Sequence, residues 1–309
     1  MQDIFELPQS YYPASFTALS KPPQKLYYCG REGVLDELLL EQADFCIDSM
    51  QAPQTLFTQN NIESQNTPKA KKPKISRAPK PKPKNAPKVA IVGTRAPNPY
   101  TKAFVAQLSS LLCAHNAIVV SGGALGVDII AHTHAMPRTI MFSPSSLEII
   151  YPKSNASVIK QIMRDALVLS EYEHGYMPKA YSFLERNRLV IALSDCVVIP
   201  QADMGSGSMQ SAKMALKLGK PVFVLPQRIG ESEGSNQLLA QDLAYGIYDI
   251  YEFVEGICSA KCVRNNDEIL SFCANNPSFE EAYERFGEKL YEYELEGKIR
   301  REAGKICVV

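Results

Sequence analysis

The stretch "AIVVSGGALGVDIIAH", Ala117–His132, sets the frame for the whole chain. A β-branched apolar run stops at Ser121, glycines follow at 122, 123 and 126, and a helical pattern begins. This is a strand, a tight turn and a helix. The glycines let an anion approach the backbone, and the unpaired N–H groups of the helix start face that anion. "GSGSMQSAKMAL", Gly205–Leu216, repeats the arrangement, with Ser206 and Ser208 adding hydroxyl donors.

Working outward, short runs of the same kind recur: "VAIVG", "RTIMFSP", "ALVLSEY", "DCVVIPQ" and "PVFVLPQ". Amphipathic stretches such as "YTKAFVAQLSSLLCAHN" and "NASVIKQIMRDA" separate them. Strands apolar on both faces that alternate with helices indicate a parallel sheet covered on both sides. Residues 89–255 are therefore expected to form a doubly wound, Rossmann-like α/β domain. Residues 1–50 read as a short lead-in element. Residues 51–88, Gln/Asn-rich and then Lys/Pro-rich, read as a disordered, extended linker. Its role is open between a solubilising tether and a polyanion hook. Residues 256–309 show three short helical patterns and "KIRREAGKICVV", a two-stranded wing turning at Ala303-Gly304, and read as a winged-helix-like module.

The chain of 309 residues has a formal net charge of zero that hides a segregation. Residues 67–88 are nearly half basic, no acid occurs between Glu63 and Asp128, and acids dominate elsewhere. The N-terminus lacks the pattern of a secretory signal and no apolar run approaches a membrane span, so a cytoplasmic protein without a membrane partner is expected. The eight scattered cysteines read as reduced, and neither "CSAKC" nor "AHTH" makes a metal site.

In open α/β sheets ligands bind beyond the carboxyl ends of the strands. The first strand delivers Gly93, Thr94 and Arg95 there, the second Ser121, Gly122, Gly123 and then Gly126, the fourth Ser170-Glu171, and the fifth Gly205, Ser206, Gly207 and Ser208. "SFLERNRLVIALSD", Ser182–Asp195, adds Arg186, Asn187 and Arg188 just before an apolar run. Guanidinium groups beside a buried stripe need partners. A bound anion would supply them; so would Glu171, Glu185 or Asp195. Phe183 reads equally as a stacking face or as core. There is no Walker loop, and the first strand is not followed by G-x-G-x-x-G. The reading is an electropositive anion site with no catalytic set, no metal and no cofactor.

"VAIVGTR", "VVSGGALGVDIIAH", "YP" at Tyr151-Pro152, "LSEY", "FLERNRLVIALSD", "GSGSMQSA", "GKPVFVLPQ" and "GSNQLL" together resemble, in order, the motif string of the DNA-processing protein A (DprA, or Smf) family. The segment "YPASFTALSKPPQKLYYCG" and the C-terminal tail are similar to flanking parts of some members. The resemblance implies a protein of natural transformation that binds incoming single-stranded DNA, helps load the RecA recombinase and dimerises through the Rossmann domain. It implies that DNA phosphates pair Arg95, Arg186 and Arg188, with Asn187 and the "GSGS" turn donating hydrogen bonds and Phe183 stacking on a base. Lys179, four residues before Phe183, departs from the family pattern, in which the lysine is nearer. The Lys/Pro segment is not part of that pattern, and the N-terminal part is shorter than in many members.

Two rivals stand beside this. A nucleotide phosphoribohydrolase-like enzyme shares the glycine turn, but Gln210 and Ser211 occupy the place of its catalytic glutamate. A general tether would bind nucleic acid through the Lys/Pro segment and the tail. The tail's acids, Glu280, Glu281, Glu284, Glu288, Glu292, Glu294 and Glu296, favour a protein-facing module instead.

Overall fold

A computed structural model describes residues 3–31, 33–35, 39, 86–260, 262, 268–273, 277–302 and 304–308. Two compact units divide the chain, Met1–Ala260 and Lys261–Val309. In the first, strands β1 (Phe5–Glu6), β2 (Tyr27–Gly30), β3 (Lys88–Ile91), β4 (Ile118–Ser121), β5 (Thr139–Phe142), β6 (Leu167–Ser170), β7 (Cys196–Ile199), β8 (Val222–Val224) and β9 (Tyr245–Gly246) form one sheet. Its order is β1-β2-β6-β5-β4-β3-β7-β8-β9. From β6 to β9 all neighbours are parallel, while β1 and β2 are antiparallel additions at one edge. The expected doubly wound α/β sheet is present, and every residue of β3 through β8 is buried, as a sheet covered on both faces requires.

Helices α1 (Pro99–Ala114), α2 (Val127–Ala135), α3 (Ala156–Asp165), α4 (Ser182–Leu193), α5 (Gly207–Lys217), α6 (Glu233–Ala240) and α7 (Ile250–Cys258) connect and cover the strands. The chain steps outward from β3 through β4 and β5 to β6, and α4 then returns it to β7 on the other side of β3. The loops after β3 and β7 thus diverge at a topological switch point, where such sheets open a crevice. Leu189, Val190 and Ile191 of α4 are fully buried, each worth about 1.5–3 kcal/mol. Lys220 fixes the far end of α4 by donating to the carbonyls of Ala192 and Ser194.

Two expected boundaries shift. The lead-in element is not separate: Tyr27–Gly30 pair with Leu167–Ser170, and Leu7, Phe16 and Leu26 join the main core. Those apolar side chains have too little partner surface of their own. Lys88, assigned to the linker, is instead the first residue of β3; it is 4% exposed and its N–H donates to Asp195 at 2.7 Å. Residues 51–85 of the linker lie outside the described residues.

The second unit orders α8 (Glu268–Cys273), α9 (Phe279–Phe286), α10 (Lys289–Leu295) and a hairpin of β10 (Ile299–Glu302) and β11 (Lys305–Val308). Gly304 supplies the positive φ of the hairpin turn, 78°. Ile269, Cys273, Ala282, Leu290, Ile299 and Ile306 make its core. The described cysteines are all free thiols, and among the described residues no helix is long and apolar enough to cross a membrane.

Candidate functional site

The glycine turn after β4 is already filled by a carboxyl group of the chain itself. Asp128, 4% exposed at the start of α2, accepts backbone hydrogen bonds from Gly93, Gly122 and Ala124. Burial raises its carboxyl above the usual range, while the nearby Arg186 guanidinium and these hydrogen bonds act the other way. Arg186 is 2% exposed, and its Nη1 donates to the carbonyls of Gly122 and Phe142. Burial lowers it to about 10, so it remains charged at neutral pH. A side chain on Gly122 would collide with this guanidinium.

Of the residues expected at the ligand, Arg186, Ser121, Gly122 and Gly123 have partners inside the chain. Arg186 is consumed inside the fold, the buried Ser121 hydroxyl donates to Ile91 O at 2.6 Å, and the Gly123 carbonyl accepts from Asn155 at 3.1 Å. Desolvating a guanidinium is costly unless it is paired, and here Nη1 is paired with two carbonyls while the buried Nε meets no partner among the described residues. Gly126 has a different task. At φ 77° it lies against the backbone of Thr94 and Arg95, and the next N–H, of Val127, donates to Thr94 O at 3.2 Å. This contact presents Arg95 at the sheet edge.

Arg188 has an internal partner too. It forms an ion pair with Glu171, the internal partner the sequence also offered, each side chain 15% exposed. Burial raises the Glu171 carboxyl, against the pull of Arg188. Asn187 donates to Ser211 at 3.0 Å, and Ser211 to Gly207 O at 3.2 Å, which ties α4 to the start of α5. Ser206 caps α5 by accepting from Met209 N at 3.3 Å, and Ser208 is buried. Only Gly205 and Gly207 of this turn are exposed, with Leu184 3.3 Å from the position of a Gly207 side chain.

What faces outward is a cation on an aromatic ledge. The exposed Arg95 guanidinium lies 5.1 Å from the centre of the Phe183 ring. Tyr151, 41% exposed, packs edge-on against the same ring at 5.7 Å. Phe183 is half-buried, both ledge and packing. Beside it the exposed Lys179 ammonium sits 5.6 Å from Tyr176 and 5.8 Å from Tyr181, whose hydroxyls are hydrogen-bonded at 3.1 Å. Ser182 pins this turn by accepting from Lys179 N at 2.9 Å and donating to Lys179 O at 2.7 Å. Tyr176 in turn stacks on Tyr172 at 4.1 Å.

Sequence reasoning missed Tyr151, Tyr176 and Tyr181. The available signal was an aromatic density, "YEHGYMPKAYSF", at a strand end. The sequence reading also took a G-x-S-x-G elbow to be absent, and this is corrected: Gly230–Gly234 has that spacing. Ser232 in its middle has φ 51°, as a strained elbow would. Its hydroxyl, however, is buried and meets no hydrogen-bond partner among the described residues, and none of these stands as a general base to it. Among the described residues no group of three or more His, Cys, Asp or Glu side chains is placed to hold a metal. The site offers flat apolar faces and mobile cations, which suit a chain of stacked, anionic units.

The family model described as DNA recombination-mediator protein A matches residues 73–257. The DNA processing protein DprA of Streptococcus pneumoniae is 36% identical over 160 residues, 50% of this chain and 56% of that protein. Protein Smf of Synechocystis is 35% identical over 158 residues, 50% of this chain and 40% of that protein. The chain thus spans about half the length of the curated relatives it matches. Among solved structures, DNA processing protein A from Helicobacter pylori, studied for its single-stranded DNA binding mode, is 42% identical with a TM-score of 0.64 over 82% of this chain and 97% of that one. The X-ray structure of DprA from S. pneumoniae is 26% identical, with a TM-score of 0.62 over 83% and 74% of the two chains.

Proposed function

Since the chain belongs to the DNA recombination-mediator protein A family, we propose that it binds single-stranded DNA along the ledge of Arg95, Phe183, Tyr151 and Lys179. The observation that carries this is Arg95 lying over Phe183. The pair would offer one nucleotide a ring for its base and a cation for its phosphate. Stacking on such a face contributes roughly 1–3 kcal/mol per base and tolerates any sequence. Arg186 and Arg188 act behind the ledge, holding the turns and α4 in place. Thr94, Gly205 and Gly207 line the same edge as backbone neighbours.

The resemblance supports the rest of the role. The protein acts in the cytoplasm as a homodimer joined through the Rossmann-like domain, protects incoming DNA during natural transformation and helps load the RecA recombinase, without catalytic turnover. The tail is a winged-helix-like module whose run of acids turns it toward protein rather than phosphate.

The test is binding of a labelled oligo-dT and its matching duplex at several salt concentrations, for wild type and Arg95→Ala. The single strand should bind more tightly, with a log–log salt slope of about −0.7 per phosphate contact. Arg95→Ala should weaken binding and flatten the slope by up to one contact. Equal binding by Arg95→Ala, with loss only on deleting residues 67–85, would show a tether and overturn the ledge.

A further inference from the structure

The same sheet edge holds a second concavity. The β3–α1 loop carries Arg95 on one flank and, three residues on, Asn98, which caps α1 by accepting from Thr101 N at 2.7 Å. Asn98, Tyr100, Gln227, Arg228 and Glu231 line a cleft of about 670 Å³ between this loop and the one after β8. That volume falls within the roughly 300–1,000 Å³ of small-molecule sites.

Its floor is built rather than incidental. Gln227 is locked by donating to Thr101 at 3.1 Å and to Pro200 O at 2.9 Å, and its backbone N–H donates to Asn236 at 3.0 Å. Asn98 Nδ2 spends both hydrogens, on Gln227 Oε1 at 3.1 Å and on Glu231 Oε2 at 3.2 Å. Asn236 braces the loop further through the carbonyls of Gln227, Arg228 and Glu231. This leaves the Glu231 carboxylate as a fixed acceptor at the cleft. Tyr100, 57% exposed, supplies a ring, and the exposed Arg228 a cation.

The exposed Glu231 carboxylate repels phosphate, so the backbone of a strand is disfavoured beside it. It suits a base that presents an exocyclic amino group. Cytosine, adenine and guanine carry one; thymine presents a single N–H between two carbonyl oxygens, which a carboxylate rejects. We propose that this cleft is a base-reading subsite. A nucleobase stacks on Tyr100, its exocyclic amino group donates to Glu231, and Arg228 takes the adjoining phosphate. The inference rests on the strand-binding reading and adds to it a preference for amino-bearing bases over thymine.

The test compares labelled oligo-dC and oligo-dT of equal length at pH 8. Glu231→Ala should move the dC-to-dT affinity ratio about tenfold toward dT, the effect of one hydrogen bond to a charged group. Glu231→Gln, which keeps an acceptor and its bond from Asn98, should move it less. Arg95→Ala should weaken both oligonucleotides and leave the ratio intact. A ratio unchanged in both Glu231 variants overturns the subsite while the ledge stands. If Arg95→Ala binds both strands as wild type does, the strand reading itself has failed, and this inference with it.

Discussion

Two glycine-rich turns, after β4 and after β7, look alike in sequence and do opposite things. In the first, Asp128 takes the backbone N–H groups of Gly93, Gly122 and Ala124, and Arg186 occupies the space above Gly122. In the second, Ser206 caps its own helix, and Gly205 has nothing within 4 Å of where a side chain would start. The closed turn has its acceptor, the Asp128 carboxyl, supplied internally. The open one sits at the edge that Arg95 and Phe183 share. Glycine spacing gives the backbone shape in both. Side chains arriving from remote elements decide which is sealed.

The comparison breaks most visibly at Arg186. Arg186→Ala leaves Asp128 buried without its counter-charge and two carbonyls unpaired, so urea unfolding should show a loss of about 3–5 kcal/mol. A loss under 1 kcal/mol would mean the closed turn does not depend on it. Gly126→Ala comes next. It forces a side chain into a positive φ and against the Thr94–Arg95 backbone, costing about 1–3 kcal/mol, and oligo-dT affinity should fall as Arg95 shifts. Unaltered affinity in a destabilised variant would separate the closed turn from the ledge.

Phe183→Ala sharpens the open side. It should cost roughly 1–3 kcal/mol of oligo-dT binding for the base it stacks, with a smaller change in thermal stability because the ring is only half-buried. The reverse pattern would make Phe183 a core residue. The smallest effect concerns His132, buried behind the closed turn with Nδ1 2.7 Å from the Thr139 hydroxyl. Burial, aided by Arg186, lowers its imidazole to about 3. The stability it contributes is complete above the usual 6.5 and is lost as pH falls from 6.5 toward 3. Wild type should lose about 1.4 kcal/mol per pH unit more than His132→Asn between pH 6 and pH 5. Parallel slopes in urea titrations would place the imidazole in contact with water.

The arginine trio shows how much was legible. The α4 sequence exposes the problem, because Arg186 and Arg188 flank a buried stripe and must be paired. It even offers Glu171 as a partner, and the structure takes it for Arg188. The partners of Arg186 were not legible: they are main-chain carbonyls, which every residue carries and no residue letter marks. The ledge was half legible. Arg95 and Phe183 stand out, but Tyr151 meets Phe183 across 32 residues of chain, with β6 between them.

What the sequence determined by itself was the sheet, its helices and the edge where the site lies. Hydrophobic period, glycine and proline act locally, and the crossing rules of parallel sheets leave few arrangements. Only the tertiary structure decided which cations reach solvent. Whether a guanidinium is spent inside or left outside depends on acceptors that separate elements bring to it. Here Gly122, Phe142 and Glu171 capture two arginines, and Arg95 rests on a ring at the surface.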